Sequence, residues 1–201
     1  MFVLEGNIGA GKSTLLKKLK LRYPHIDIVQ EPVDEWINYK DDSNQSIFQL
    51  FYENPKKYAF TFQMYVMLTR LKKMENNVTN NTVYERSILT DKYVFMNALR
   101  QDITVSDIEY KVFNDWFNYL LPKVESIKGI IYLQIDPDEC FRRIDKRSRT
   151  SENNISIEYL SNIHNNHESW FEQNCTIPSI TVNGNEDNDL NRIFKFIQNN
   201  S

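Results

Sequence analysis

Two cysteines, Cys140 and Cys175, are all that the chain carries. That excludes a disulfide framework and makes a reducing compartment the expected setting. A basic excess is also missing, because 24 Lys and Arg face 27 Asp and Glu for a formal net charge of -3. Proteins that grip nucleic acid by its phosphates usually carry the opposite balance, so no nucleic-acid partner is expected. No apolar run approaches the ~20 residues of a membrane span. The opening Met1-Phe2-Val3-Leu4-Glu5-Gly6 holds no basic stretch of a cleavable leader. The expectation is a cytoplasmic protein with no membrane association. No internal repeat and no Pro/Gly/Ser linker divides the chain, and at roughly 100–200 residues per domain its length fits one domain, spanning 1–201. Hydrophobic residues at 41% and charged residues at 25% suffice for a core, while aromatics at 13% are in excess.

Short runs rich in β-branched and aromatic residues at 1–4, 26–29, 82–84, 130–135 and 179–182 predict strands. Helical patterns fall between them at about 12–22, 55–75, 87–100, 106–121, 137–147, 156–173 and 187–199. Strands alternating with helices imply βαβ units. The predicted architecture is a three-layer α/β domain with a five-stranded parallel sheet flanked by helices.

Gly6-Asn7-Ile8-Gly9-Ala10-Gly11-Lys12-Ser13, with Thr14 next, fits G-x-x-x-x-G-K-[ST] between the first strand and the first helix. Its glycines let backbone N–H groups converge on a phosphate at the positive end of a helix. Lys12 would neutralise the terminal phosphates and Ser13 would place its hydroxyl on Mg²⁺. The motif predicts nucleoside triphosphate binding, but switches, motors and kinases all use it.

The segments just beyond the second and third strands bear on the chemistry. In an open parallel sheet the site lies beyond the carboxyl ends of the strands. The second strand leads into Gln30-Glu31-Pro32-Val33-Asp34-Glu35-Trp36, so Glu31 should stand near the phosphate loop, where it can accept a hydroxyl proton. The third ends in Tyr84-Glu85-Arg86-Ser87, with Glu85 suited to a metal and Arg86 to a phosphate or hydroxyl. Phe60-Thr61-Phe62-Gln63-Met64-Tyr65 carries part of the aromatic excess. The Gln63 amide suits a nucleobase edge and Phe62 offers a face to stack on. His164 and His167 are read as packing residues, as are both cysteines.

Together these motifs resemble the deoxyribonucleoside kinase family, most closely its deoxycytidine/deoxyguanosine branch. The resemblance runs over essentially the whole chain, ending at Asn185-Glu186-Asp187 in the loop that packs on the ATP adenine. It implies the P-loop NTPase fold and transfer of a phosphoryl group from ATP to the 5′-hydroxyl of a deoxyribonucleoside. By the same resemblance Glu31 is the general base and Arg86 orients the hydroxyl and the incoming phosphate. Tyr52 and Glu152 hold the 3′-hydroxyl, Gln63 reads the base, Trp36 and Phe62 wall the pocket, and Glu85 and Ser13 serve Mg²⁺. An arginine-rich lid at about 142–153 would bring Arg143 and Arg147 onto phosphates, although Asp145 stands where many relatives have another arginine. Arg70 and Asp91 match a pair that borders the base in that branch, and such a pair would crowd the thymine methyl. Phosphorylation of dC, dA or dG rather than dT is expected. Val66 stands where relatives have smaller residues. The resemblance further implies a homodimer, read here through the helix around Trp116, Phe117 and Tyr119 and its neighbour at 55–75, and feedback inhibition by a deoxynucleoside triphosphate. A monophosphate kinase, a non-catalytic structural relative and a regulatory switch are the alternatives. The first lacks a visible reason for Glu31, the second is at odds with retention of Lys12, Glu31, Glu85 and Arg86, and the third lacks a water-positioning glutamine after the loop.

Overall fold

Five short strands form a parallel sheet in the order β2-β3-β1-β4-β5: β1 Phe2–Gly6, β2 Asp27–Val29, β3 Thr82–Glu85, β4 Gly129–Leu133 and β5 Ser179–Val182. The structure, a computed structural model, describes residues 1–76, 81–124, 127–147, 155–184 and 187–201. All five strands fall where hydrophobic patterning predicts them. β1 runs two residues further than expected, straight into the phosphate loop, while β4 stops short of 134–135. Every residue of β1, β3 and β4 is buried, as in central strands covered on both faces.

The helices are α1 Lys12–Arg22, α2 Val33–Asn38, α3 Ile47–Glu53, α4 Pro55–Asn76, α5 Ile88–Thr90, α6 Asn97–Gln101, α7 Asp107–Leu120, α8 Pro137–Arg147, α9 Ile157–Ser169 and α10 Asp187–Asn200. π-helical turns join α5 to α6 (Asp91–Met96) and end α9 (Trp170–Asn174). Serine hydroxyls start several of these elements by accepting backbone N–H groups that have no partner inside the helix. Ser46 caps α3, Ser156 caps α9, and Ser106 forms a reciprocal capping box with Glu109 on α7.

Strand alternation divides the core in two. Val3, Tyr84 and Ile130 face a cluster with Phe62, Met67, Phe95, Phe113 and Trp170, whereas Phe2, Leu4, Ile131 and Leu133 pack against Leu16, Ile144 and Ile193. Most of the aromatic excess lies on the first side. Trp170, stacked on Tyr93 at 5.4 Å, ties the end of α9 to that core. His167 is buried there too, its ring parallel to Tyr132 at 5.5 Å, and burial holds its pKa down at about 3.

One expectation changes. Phe117 is fully buried in the core rather than on the outer face of α7, where Trp116 and Tyr119 remain exposed. Of the stretch expected to be a lid, 142–147 completes α8, so Arg142 and Arg143 stand on a regular helix, and the remainder lies outside the described residues.

Candidate active site

The chain turns at the end of β1 through Gly6, Gly9 and Gly11, with φ of 150°, 78° and 96°. At Gly9 a Cβ would come within 2.5 Å of the Cys140 carbonyl oxygen, so only glycine lets the loop lie against α8. The Asn7 side chain braces the turn by donating to the Leu160 carbonyl at 2.9 Å and accepting from the Ile8 N–H at 2.8 Å. Lys12 Nζ donates to the carbonyls of Gly6 and Asn7 at 3.1 and 2.8 Å. Burial, aided by the nearby Arg86 charge, pulls the Lys12 pKa down to about 8. Arg143 reaches back from α8 to the Ala10 carbonyl at 2.7 Å and pairs with Glu139 at 2.8 Å.

Ser13, one residue into α1, donates to Glu85 at the end of β3, with its Oγ 2.9 and 3.1 Å from the two carboxylate oxygens. This all-oxygen donor set at the mouth of a phosphate loop fits a hard divalent cation. Among the described residues no group of three His, Cys, Asp or Glu side chains forms a closed metal cage. A cation here would therefore share its coordination with phosphate oxygens and water.

Arg86 comes directly after Glu85 with a left-handed backbone, φ 64°, which carries strain of about 1–2 kcal/mol for a residue with a Cβ. Its N–H bonds the Leu4 carbonyl at 3.0 Å, and its guanidinium donates to the Gly6 carbonyl at 3.1 Å and to Glu31 Oε2 at 2.6 Å. Glu31 Oε1 accepts from Arg70, whose other terminal nitrogen forms an ion pair with Asp91. Glu31 is thus held between two arginines, and Asp91 balances the second of them. Burial alone would raise the pKa of Glu31, but Arg86, Arg70 and Lys12 together hold it at about 2. The family resemblance pairs Arg70 with Asp91; its bond to Glu31 appears only when α4 is packed across the sheet edge.

These groups border a cavity of about 530 Å³ that runs from the phosphate loop into the aromatic side of the core. Glu31, Trp36, Tyr52, Phe62, Gln63, Val66, Arg70, Glu85 and Arg86 line it, together with Ile8, Gly9, Gly11, Lys12, Ser13, Thr14 and Arg143. Trp36 is fixed by donating its indole N–H to Thr69 at 2.9 Å, and Phe62 stacks on Phe51 with ring centroids 4.7 Å apart. The Gln63 carbonyl oxygen is buried and has no partner among the described residues, an acceptor left for whatever fills the room. Asp91 stands behind Arg70, fully buried. Glu152 and Glu186 lie outside the described residues, as do the side chains of Arg147 and Asp187. Phe48, Phe95 and Tyr159 also line the cavity and carry no sequence signal of it. The π-helical turn at Asp91–Met96 changes the helix phase, so spacing alone does not point Phe95 at the site.

The profile described as deoxynucleoside kinase matches residues 2–200. The chain belongs to the deoxynucleoside kinase family. Among its relatives, deoxycytidine kinase 2 of Gallus gallus is 31% identical over 92% of this chain and 82% of its own length. A probable deoxycytidine kinase of fowlpox virus is 34% identical over 98% and 84%. A mitochondrial deoxyguanosine kinase of Xenopus laevis is 30% identical over 92% and 81%. The parallel sheet, the phosphate loop and the cavity beside it are the frame on which this deoxynucleoside kinase is built.

Proposed function

We propose that the protein transfers the γ-phosphoryl group of ATP to the 5′-hydroxyl of dC, dA or dG, in nucleotide salvage. The observation that carries this reading is Glu31, a buried carboxylate clamped by Arg70 and Arg86 where the phosphate loop meets an aromatic room. A hydrolase needs a water there, whereas a room of this size with an unpartnered amide oxygen suits a nucleoside.

The loop amides and Lys12 take the triphosphate, with Arg143, Arg147 and Thr14 beside it and Glu186 and Asp187 near the adenine. Gln63 meets the base edge between Trp36 and Phe62, with Val66 narrowing the pocket, and Tyr52 and Glu152 hold the 3′-hydroxyl. The 5′-hydroxyl enters beside Glu31 and takes the place of one arginine hydrogen bond. Glu31 then accepts its proton as the new O–P bond forms and the bond from the γ-phosphorus to the bridging oxygen breaks, with ADP as the leaving group. A carboxylate with a pKa of about 2 is a weak base. That is sufficient, because phosphoryl transfer passes through a loose transition state and the hydroxyl gives up its proton late. Arg86, already on Glu31 and the Gly6 carbonyl, follows the charge as it moves to the phosphoryl oxygens. Ser13 and Glu85 would hold Mg²⁺, which supplies charge neutralisation between the phosphates when bound.

Arg70 lines the cavity and pairs with Asp91, and a charged pair beside the base would crowd a thymine methyl, which supports discrimination against dT. An exposed apolar stripe on α7, Ile108, Val112, Trp116 and Tyr119, with Leu68 of α4, supports a homodimer. One cavity spanning phosphate loop and base room is compatible with feedback inhibition by a deoxynucleoside triphosphate. We place the protein in the cytoplasm on its two free cysteines. No described helix is long and apolar enough to cross a membrane. The direct test is incubation with γ-labelled ATP and deoxycytidine, deoxyadenosine or deoxyguanosine. Label recovered in a 5′-monophosphate is expected; label recovered only as inorganic phosphate overturns the reading.

A further inference from the structure

Glu5 is the residue immediately before the phosphate loop, and it is completely buried although no described cation touches it. Val3 shares its side of β1, facing the aromatic core rather than α1. The Glu5 Oε1 accepts from the Ser87 hydroxyl at 2.9 Å, and its Oε2 is hydrogen-bonded to the Thr90 hydroxyl. Ser87 caps α5 by accepting the Leu89 N–H at 3.3 Å, and Thr90 is the last residue of that helix. One carboxyl group therefore spans from the strand that carries the phosphate loop to the helical turn that separates Arg86 from Asp91.

The surrounding charges are all engaged elsewhere. Arg86 is bonded to Glu31 and the Gly6 carbonyl, Arg70 to Glu31 and Asp91, and Lys12 to two loop carbonyls. A buried carboxylate without a counter-ion is expensive, and a protonated carboxyl with two hydroxyl partners is not. Burial pushes the Glu5 pKa up, outweighing the hydrogen bond from Thr90 and the field of Arg86.

Resting on the roles given above to Glu31 and Arg86, we propose that Glu5 is a positioning residue of this kinase. It acts as an uncharged carboxyl strut that fixes α5 against the end of β1 and so holds Arg86 in its left-handed backbone, aimed at Glu31. Phosphate loop and acceptor pocket are then set by one shared side chain. Arg86 carries backbone strain that must be held by its surroundings, and Glu5 ties the segment that follows that strained residue, at Ser87 and Thr90, to the end of β1.

The test uses the full chain with Glu5→Ala, Glu5→Gln and Thr90→Val. Displacement of an aligned group by about 1 Å can lower rates about 10²-fold, so Glu5→Ala is expected to lose that much in kcat with KM for ATP and nucleoside changed far less. Glu5→Gln, uncharged and of the same shape, recovers most of the loss. A wild-type kcat in Glu5→Ala overturns the proposal, and so does a Glu5→Gln as slow as Glu5→Ala, which would make the charge the working part. If Glu5→Ala does not fold, Thr90→Val decides: a kcat reduced about tenfold, as for loss of one hydrogen bond, supports the strut, and an unchanged kcat overturns it. Difference infrared spectra of wild type against Glu5→Gln are independent of turnover. The band lost is expected to be that of a neutral carboxylic acid, and loss of a carboxylate band instead overturns the proposal. A wild type that phosphorylates no deoxynucleoside while showing the acid band would refute the functional reading and leave the uncharged Glu5 standing.

Discussion

Lys12 shows how one residue carries a stability cost for function. Its ammonium is buried among backbone carbonyls, and its pKa falls from the ordinary lysine value of 10.5 to about 8. Between those two values the unfolded chain keeps a proton that the folded chain has lost, so the ligand-free protein gains stability from this group as pH rises from about 8 to about 10.5. Below pH 8 the buried charge costs folding on the order of 3 kcal/mol. Lys12→Met is therefore expected to be more stable than wild type at neutral pH in chemical denaturation, with the difference shrinking above pH 8. Association with ATP runs the other way, since kcat/KM for ATP should fall as the free lysine loses its proton. A stability difference that does not vary with pH would contradict this role for Lys12. Lys12 and Ser13 are legible in the sequence because their motif is local. The pairing of Glu31 with both Arg70 and Arg86 is not, since it joins three segments spread over more than fifty residues.

At the scale of elements, the phosphate loop depends on backbone shapes that few residues adopt. Three of the five glycines in the chain, Gly6, Gly9 and Gly11, lie from the last residue of β1 to the start of α1. Gly9→Ala meets both a φ of 78° and the Cys140 carbonyl oxygen at 2.5 Å, so loop and α8 must part. KM for ATP is expected to rise at least about tenfold, the equivalent of roughly 1.4 kcal/mol, while far-ultraviolet circular dichroism stays unchanged. A variant with wild-type KM would show that the loop does not need this close approach. All five strands are readable from their runs of β-branched and aromatic residues. The helices α2 and α3 are not, because each is under two full turns and held by packing: Trp36 on Phe62 at 5.7 Å and Phe51 on Phe62. For the same reason Phe48 and Phe51 enter the site only in three dimensions. Phe117 misleads in the other direction, since the helix that exposes Trp116 and Tyr119 turns the ring between them into the core.

For the whole molecule, the parallel sheet brings the carboxyl ends of β1, β2 and β3 to one edge, and the phosphate loop, Glu31 and Glu85-Arg86 meet there because of strand order alone. The exposed stripe on α7 predicts a dimer in sedimentation equilibrium; a monomeric mass at micromolar concentration would refute that assembly. Whether the assembled site is that of a deoxynucleoside kinase with Glu31 as its base is decided by one coupled assay. Mg-ATP is supplied with dC, dA, dG and dT in turn, to wild type and to Glu31→Gln. Turnover of at least one of the first three well above dT is expected, with a fall of roughly 10²–10⁴ in kcat for the variant, the usual loss on removing a general base. Turnover of a deoxynucleoside monophosphate in place of every nucleoside, or a Glu31→Gln as fast as wild type, would contradict it.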